Sequence, residues 1–370
     1  MRLGLNLGYW GAGNDAGNLA LAVEADRLGF AVAWAAEAYG SDAPTVMAWV
    51  AAQTTRIDVG SAVMQIPART PAMTAMTAAT LDILSGGRMR LGLGVSGPQV
   101  SEGWHGVRFD APLSRTREYV EIVRMALRRE TLAYQGRHWT LPLPSGPGKA
   151  LKLTVRPVRA QIPIYLAAVG PKNLELAGEI ADGWLGVFFS PDHAEASLAP
   201  IRAGRRRRPP ATGEAAANGG PGAQPSPPAQ ADLSGFDIAP SLPLVIGSDL
   251  AAAGHAVRPY TALYVGGMGS RDKNFYNALM RRMGFEEEAA TVQDLYLSGR
   301  QRDAAAALPQ AFLEATALLG PAVSLPDRLQ AYAAAGVTTL NVMPVAATPA
   351  GRLAALRSLA EAADAAGVAQ

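Results

Sequence analysis

Apolar and polar positions along this chain follow two rhythms that take turns. Eight short apolar runs stand at Leu3–Leu7, Ala31–Ala35, Ile57–Val63, Met89–Val95, Ile162–Ala168, Gly183–Phe188, Ile238–Ile246 and Thr338–Met343. Runs so continuously apolar suit strands of a parallel sheet, which are covered on both faces. Between them lie stretches with helical spacing: Asn18–Leu28, Pro44–Gln53, Pro71–Leu84, Ser114–Arg129, Pro171–Ala181, Asp249–Tyr264 and Arg352–Ala365. Gly29 follows the first of these as a C-cap glycine, and prolines open the second, third and fifth, where a missing N–H costs nothing. Repeated strand–helix units predict a parallel sheet with helices outside it. Eight such units in 370 residues fit an α/β fold of the (β/α)8 TIM-barrel type with inserted segments. A doubly wound open sheet is the alternative.

Two regions break the alternation. Gln135–Arg159 is rich in proline and glycine and reads as a long loop. Ile201–Asp232 begins with an arginine run, Arg205 to Arg208, and continues almost wholly in Ala, Gly, Pro, Gln and Asn. Such a composition buries too little apolar surface to order itself, so 201–232 reads as a flexible low-complexity insertion on the barrel rim. A solvated charge cluster explains the arginine run better than an anionic partner does. Residues 270–308 read as an added helical segment before the last strand of a single 1–370 domain.

Composition narrows the chemistry. Hydrophobic residues make up 49% and charged residues 17%, enough apolar mass for a sizeable core. Lys+Arg at 33 against Asp+Glu at 31 gives a formal charge of +2, which offers no basis for nucleic-acid binding. No cysteine is present, so disulfides, thiolate metal sites and Cys nucleophiles are excluded. The four histidines, His105, His138, His193 and His255, lie far apart and form no metal-ligand spacing. The N-terminus lacks the apolar stretch of a signal peptide, and charged residues break every alanine-rich run, so a cytoplasmic protein without a membrane span is expected.

In a barrel, chemistry sits where the strands end. Those ends carry Asn6, Tyr9 and Trp10; Glu37 and Tyr39; Ser61 to Gln65; Val95, Ser96 and Gly97; and Ala167 to Gly170. The rim is aromatic, amide-rich and glycine-rich, with one clear carboxylate. Glycoside hydrolysis needs a facing carboxylate pair, and zinc hydrolysis a His/Asp cluster. Gly94-Val95-Ser96-Gly97 is not a nucleophile elbow, and no lysine stands at a strand tip for Schiff-base chemistry. A chain offering so few reactive groups points to a bound cofactor. The turn Ala168-Val169-Gly170 runs into Pro171-Lys172, and a helix N-terminus there could receive a phosphate. A tight turn with no ligand explains the same residues equally well.

Together these segments resemble the luciferase-like monooxygenase superfamily, in its F420-dependent branch. The resemblance rests on Ala33-Trp34-Ala35-Ala36-Glu37-Ala38, on Val59–Pro71 with Arg69-Thr70-Pro71, on Leu81–Gln99, on Glu102-Gly103-Trp104-His105-Gly106, on Tyr165–Gly170 and on Ala181-Asp182-Gly183-Trp184. It implies a barrel that binds coenzyme F420, an anionic deazaflavin, with FMN as the alternative cofactor. It implies a non-proline cis peptide after the third strand, placed at Ala62–Val63 or one residue earlier. Glu37, Ser61, Ala62, Val63, Gln65, Val95, Ser96, Gly97, Ala168, Val169 and Gly170 match cofactor-binding positions. Glu37, His105 and Tyr9 become catalytic candidates; Asn6, Tyr9, Trp10 and Trp104 become substrate-pocket candidates.

The sequence departs from relatives that oxidise sugar phosphates. Ala38 stands where those carry a histidine, and Gly97-Pro98 where they carry a glutamate. Reduction of a C=O, C=N or activated C=C group is therefore favoured, with a proton from water, Tyr9, Tyr39 or His105. A two-component FMN monooxygenase and a non-catalytic flavin-binding barrel remain as alternatives. The partners expected are a small-molecule substrate and further copies of the chain, as a homodimer or larger.

Overall fold

All eight apolar runs become parallel strands: β1 Arg2–Asn6, β2 Val32–Ala35, β3 Asp58–Ser61, β4 Met89–Gly94, β5 Ile164–Ala167, β6 Gly183–Val187, β7 Asp237–Ile246 and β8 Thr339–Pro344. A computed structural model of the chain describes residues 1–11, 17–208 and 233–368. Neighbours in sequence are neighbours in space, β8 pairs with β1, and β6 pairs with β7, so the sheet closes into a barrel. The open-sheet alternative is thereby excluded.

Helices α1 Asn18–Arg27, α2 Ala43–Gln53, α3 Pro71–Leu84, α4 Pro112–Leu127, α5 Pro171–Ile180, α6 Ala194–Arg205, α7 Leu325–Ala334 and α8 Pro349–Ala365 form the outer ring. Their starts follow from the sequence. Asp42 caps α2 by accepting from the Thr45 amide at 3.0 Å, and Thr70 and Thr348 do the same for α3 and α8. Proline fills an early position in α2, α3, α4, α5, α7 and α8.

The barrel interior is plugged by large aromatics opposite glycines. Trp34 and Tyr165 meet edge-on at 5.2 Å among Val32, Leu185 and Ala239. A Cβ on Gly60 would lie 2.4 Å from the Trp34 ring, and one on Gly183 would lie 2.3 Å from Tyr165. The glycines inside these strands are thus the room that the rings occupy. Trp34 Nε1 donates to Asn341 Oδ1 at 2.7 Å, and Asn341 Nδ2 donates to the Ala239 carbonyl at 3.0 Å.

The end of the barrel where the strands begin is a floor of paired charges. Asp237 takes Arg2 at 3.0 Å, Arg90 at 3.4 Å and the Tyr165 hydroxyl at 2.8 Å, and it accepts from Thr338 and Thr339. Arg90 also reaches Asp58 at 2.6 Å.

Between β7 and α7 the chain leaves the barrel. It runs through helix Leu250–Ala262, one π-helical turn at Leu263–Gly267, and helices Phe275–Arg282, Glu286–Leu297, Gln301–Ala306 and Gln310–Thr316. This insertion has its own apolar core around Val265, Met280, Val292, Phe312 and Leu313. It is longer in both directions than the 270–308 read from sequence. The segment 201–232 also needs correction: residues 201–205 complete α6, and Ile201 is fully buried, because an apolar residue on the inner face of α6 packs onto the barrel. Residues 209–232 lie outside the described residues. Within 135–159 a short hairpin pairs Tyr134–Gln135 with Thr140–Leu141. No helix among the described residues is long and apolar enough to cross a membrane.

Candidate active site

At the opposite end of the barrel, where the strands finish, lies a cavity of about 1040 Å³. That is at the upper end of the range usual for small-ligand sites, ~300–1,000 Å³. One wall comes from barrel backbone. Ala62 and Val63 follow β3, joined by a cis peptide as expected from the resemblance. The next two residues, Met64–Gln65, run alongside β4 at Leu93 and Gly94. A Cβ on Gly94 would lie 2.5 Å from Val63. Val95, Ser96 and Gly97 continue this wall, with Ser96 at φ +60°. Gln65 ties the two stretches together: its Oε1 accepts from Ser96 Oγ at 2.6 Å and its amide group donates to the Ala38 carbonyl.

Glu37 stands at the cavity edge, but its carboxylate is already engaged. Arg69 meets both oxygens, at 2.7 and 2.9 Å, and the Gln65 amide donates to Oε2 at 2.9 Å. Arg69 also reaches Asp42. Burial works against the Arg69 charge, yet the two carboxylates outweigh it and hold its pKa above the ordinary value. Glu37 is therefore charge-paired in place and braces the turn carrying Ala62 to Gln65.

A second wall carries a cation, Lys172, which pairs with Glu175 at 3.1 Å. Val169 and Gly170 line the cavity at the start of α5, with Lys172 and Asn173 beside them. Arg282, from the insertion, donates Nη2 to the Val169 carbonyl at 3.1 Å.

The third wall is a set of tyrosines. Tyr9 follows β1; Tyr260, Tyr264 and Tyr276 come from the insertion. The Tyr9 and Tyr264 hydroxyls lie 3.2 Å apart. The Tyr260 and Tyr264 rings are 4.7 Å apart, and Tyr264 and Tyr276 4.9 Å. Burial raises the pKa of all four phenols. Each is a protonated hydrogen-bond donor at neutral pH.

The remaining candidates divide by orientation. Asn6 and Trp104 line the cavity, and Asn6 Nδ2 donates to Ser241 Oγ at 2.7 Å. Tyr39 lines it too. Four candidates do not. Ser61 is fully buried and exchanges hydrogen bonds with Gly92, N–H to Oγ at 3.0 Å and Oγ to carbonyl at 2.8 Å. Ala168 is buried behind the wall, its carbonyl accepting from Trp184 Nε1 at 2.9 Å. Successive residues of an extended chain face opposite ways, so Ser61 beside Ala62 and Ala168 beside Val169 point out of the cavity. Trp10 packs against the main core instead, its amide held by Ser41 Oγ at 3.2 Å. His105 shares the Val100 carbonyl with Trp104 at the end of helix Pro98–Gly103; it does not line the cavity, and its Nε2 is buried with no hydrogen-bond partner among the described residues. Sequence reading overlooked Tyr260, Tyr264, Tyr276, Arg282 and Ser241, because none stands within the motifs quoted.

Comparison with known proteins fits this geometry. The family model described as luciferase-like monooxygenase matches residues 11–339. A Mycobacterium tuberculosis protein provisionally named a coenzyme F420-dependent oxidoreductase is 43% identical over 361 residues, covering 96% of this chain and 99% of its own. A 5,10-methylenetetrahydromethanopterin reductase of Archaeoglobus fulgidus is 33% identical over 181 residues, about half of each chain (49% and 52%). Among solved structures, the coenzyme F420-dependent tetrahydromethanopterin reductase of Methanopyrus kandleri superposes with TM-score 0.77 at 23% identity over 97% of both chains. An F420-dependent secondary alcohol dehydrogenase, solved with an F420-acetone adduct, superposes with TM-score 0.74 at 17% identity over 98% of both. These two likenesses speak to the fold. With the family model spanning most of the chain and a relative that similar along nearly its whole length, the protein belongs to the luciferase-like monooxygenase family.

Proposed function

We propose that the protein is an F420-dependent oxidoreductase that moves hydride between the deazaflavin coenzyme and a small organic substrate. The observation carrying this reading is the make-up of the rim cavity. A flat, uncharged wall of Ala62–Val63 and Val95–Gly97 suits the face of a fused ring. Lys172 and Arg282 beside the Val169–Gly170 turn suit a phosphate and a polyanionic tail. When bound, the coenzyme supplies a two-electron hydride donor or acceptor. The chain's own residues bind and orient. Glu37, held by Arg69, braces the ring-facing turn, and Gln65 and Ser96 lock the two strand ends against each other. Tyr9 is the protein group best placed to handle a proton on the substrate side. His105 does not line the cavity and is not assigned that role.

The 43% identical relative named for F420 supports the choice of cofactor. Homo-oligomerisation belongs to the same reading: Trp49 of α2 and Met73 and Met76 of α3 lie half-exposed on adjacent ring helices, and light scattering should give a mass above one chain. A fluorescence titration against F420 and FMN tests the function. Saturable F420 binding, with FMN much weaker and no oxygen uptake during turnover, is expected. Tight FMN binding with oxygen consumption would replace the proposal by a monooxygenase.

A further inference from the structure

The tyrosine wall is more than apolar lining. Tyr264 sits on the π-helical turn Leu263–Gly267, a geometry that costs regular hydrogen bonds and recurs at functional sites. The freed carbonyls are taken up from outside. Asn274 Nδ2 donates to the carbonyls of Tyr264 at 3.1 Å and Val265 at 2.8 Å, and Asn277 Nδ2 donates to Val265 at 3.2 Å. Asn274 Oδ1 also accepts from the amides of Tyr276 and Asn277, so one buried side chain fixes both the turn and the next helix. Gly266 and Gly267 let Tyr296 pack directly on the turn; a Cβ at either would fall 2.4 Å from it. The product of this bracing is a phenol aimed across the cavity at Tyr9, 255 residues away in sequence.

We infer that the Tyr9 hydroxyl, oriented by Tyr264, binds and protonates the oxygen of a neutral carbonyl substrate, and that the enzyme's substrate is an apolar ketone or aldehyde and its alcohol. The inference rests on the oxidoreductase reading for its hydride source. At 3.2 Å either hydroxyl can donate to the other, and in the arrangement inferred here Tyr264 donates to the Tyr9 oxygen while the Tyr9 O–H points at the ligand. In the reductive direction the carbonyl carbon takes a hydride from a reduced deazaflavin. The C=O π pair moves to oxygen, and that oxygen takes the Tyr9 proton to give the alcohol. Water reprotonates the Tyr9 phenolate as the alcohol leaves. An alkoxide is a far stronger base than a buried phenolate, so the transfer runs downhill even though burial makes Tyr9 a weak acid. The cavity wall here offers phenols with Phe275, Val257 and Met268. Among the described residues, the charged groups lining the cavity near them are already engaged, Glu37 by Arg69 and Arg352 by the Asn18 side chain at 2.7 Å. A neutral C=O group gains most from uncharged donors.

The test uses 4-(dimethylamino)cinnamaldehyde, whose visible band moves to longer wavelength when its carbonyl oxygen accepts a hydrogen bond. It is titrated into the cofactor-free, full-length protein. A red shift is expected for wild type, its loss in Tyr9→Phe, and a smaller shift in Tyr264→Phe. With F420 present, carbonyl turnover should fall about 100-fold in Tyr9→Phe through kcat, with KM little changed. No shift in wild type, a shift retained in both variants, or a shift lost only in Tyr276→Phe would overturn the inference. F420 titration of the same four proteins reads the cofactor proposal separately. Failure there with an intact aldehyde shift sinks the cofactor reading and leaves the carbonyl-binding assignment standing.

Discussion

The barrel's two ends each hold a tyrosine, and they use it in opposite ways. At the floor, the Tyr165 hydroxyl donates to Asp237, whose carboxylate also meets Arg2 and Arg90. At the rim, the half-buried Tyr9 has a phenol, Tyr264, as its hydroxyl partner among the described residues. Charges taken out of water must be fully paired, and a fully paired network holds shape but has no bonding capacity left for a ligand. Uncharged donors are cheaper to bury and can keep one bond to offer. The contrast separates what stabilises the barrel from what is free to meet a substrate.

Removing the centre of the floor should have the largest effect. Asp237→Ala leaves Arg2 and Arg90 without their shared carboxylate, and urea unfolding should record a loss of about 3–5 kcal/mol. A change below 1 kcal/mol would break the comparison. The rim should respond the other way round. Tyr9→Phe is expected to cost less than about 1 kcal/mol of stability, one neutral hydrogen bond, while the rate drops by two orders of magnitude. Arg69→Met tests a floor-like charge pair at the rim. With Glu37 left buried and unpaired, stability should fall by about 2 kcal/mol, near what a hydrogen bond to a charged group contributes.

A flank charge pair sharpens the scale at its low end. Arg27 and Arg357 hold the Glu24 carboxyl down to about 2, linking α1 to α8. Its folded value lies below the unfolded one, so the stabilisation is present above the unfolded carboxylate range and fades as pH falls toward 2. Both arginines are more than half exposed, so solvent screening limits the effect. Glu24→Gln should cost no more than about 1 kcal/mol at pH 7, and melting curves of variant and wild type should converge near pH 2.

Sequence patterning carries far in the framework. All eight strands, and the ring helices opened by proline or closed by Gly29, are legible because β-strand and helix periods differ and because Pro and Gly act locally. Helices α6 and α7 are exceptions that are not foreseen: the C-terminal turn of α6 runs into the arginine-rich stretch read as an insertion, and the alanine-rich α7, although it too opens with a proline, blends into the preceding insertion. Around the cavity, the sequence reading reaches the backbone stretches Ala62–Val63, Val95–Gly97 and Val169–Gly170 and the strand-end side chains Asn6, Tyr9, Glu37, Gln65 and Trp104. Side-chain direction is where reading by strand end falls short. Ser61 and Ala168 lie one position off the facing residues, and Trp10 and His105 follow turns whose sense depends on tertiary contacts. Tyr260 and Tyr264 stay hidden because aromatics at helical spacing look like core until the opposing Tyr9 is placed.

The π-helical turn has a consequence for how such a protein diversifies. The backbone wall of the cavity is encoded almost entirely by barrel segments, whereas three of the four phenols come from the continuous stretch between β7 and α7. On the proposed function, a single exchange of that stretch between relatives would hand over a new reactant preference while the wall offered to the cofactor stayed in place. Recombination, rather than stepwise mutation around the mouth, is then the shorter route to a different chemistry on this scaffold.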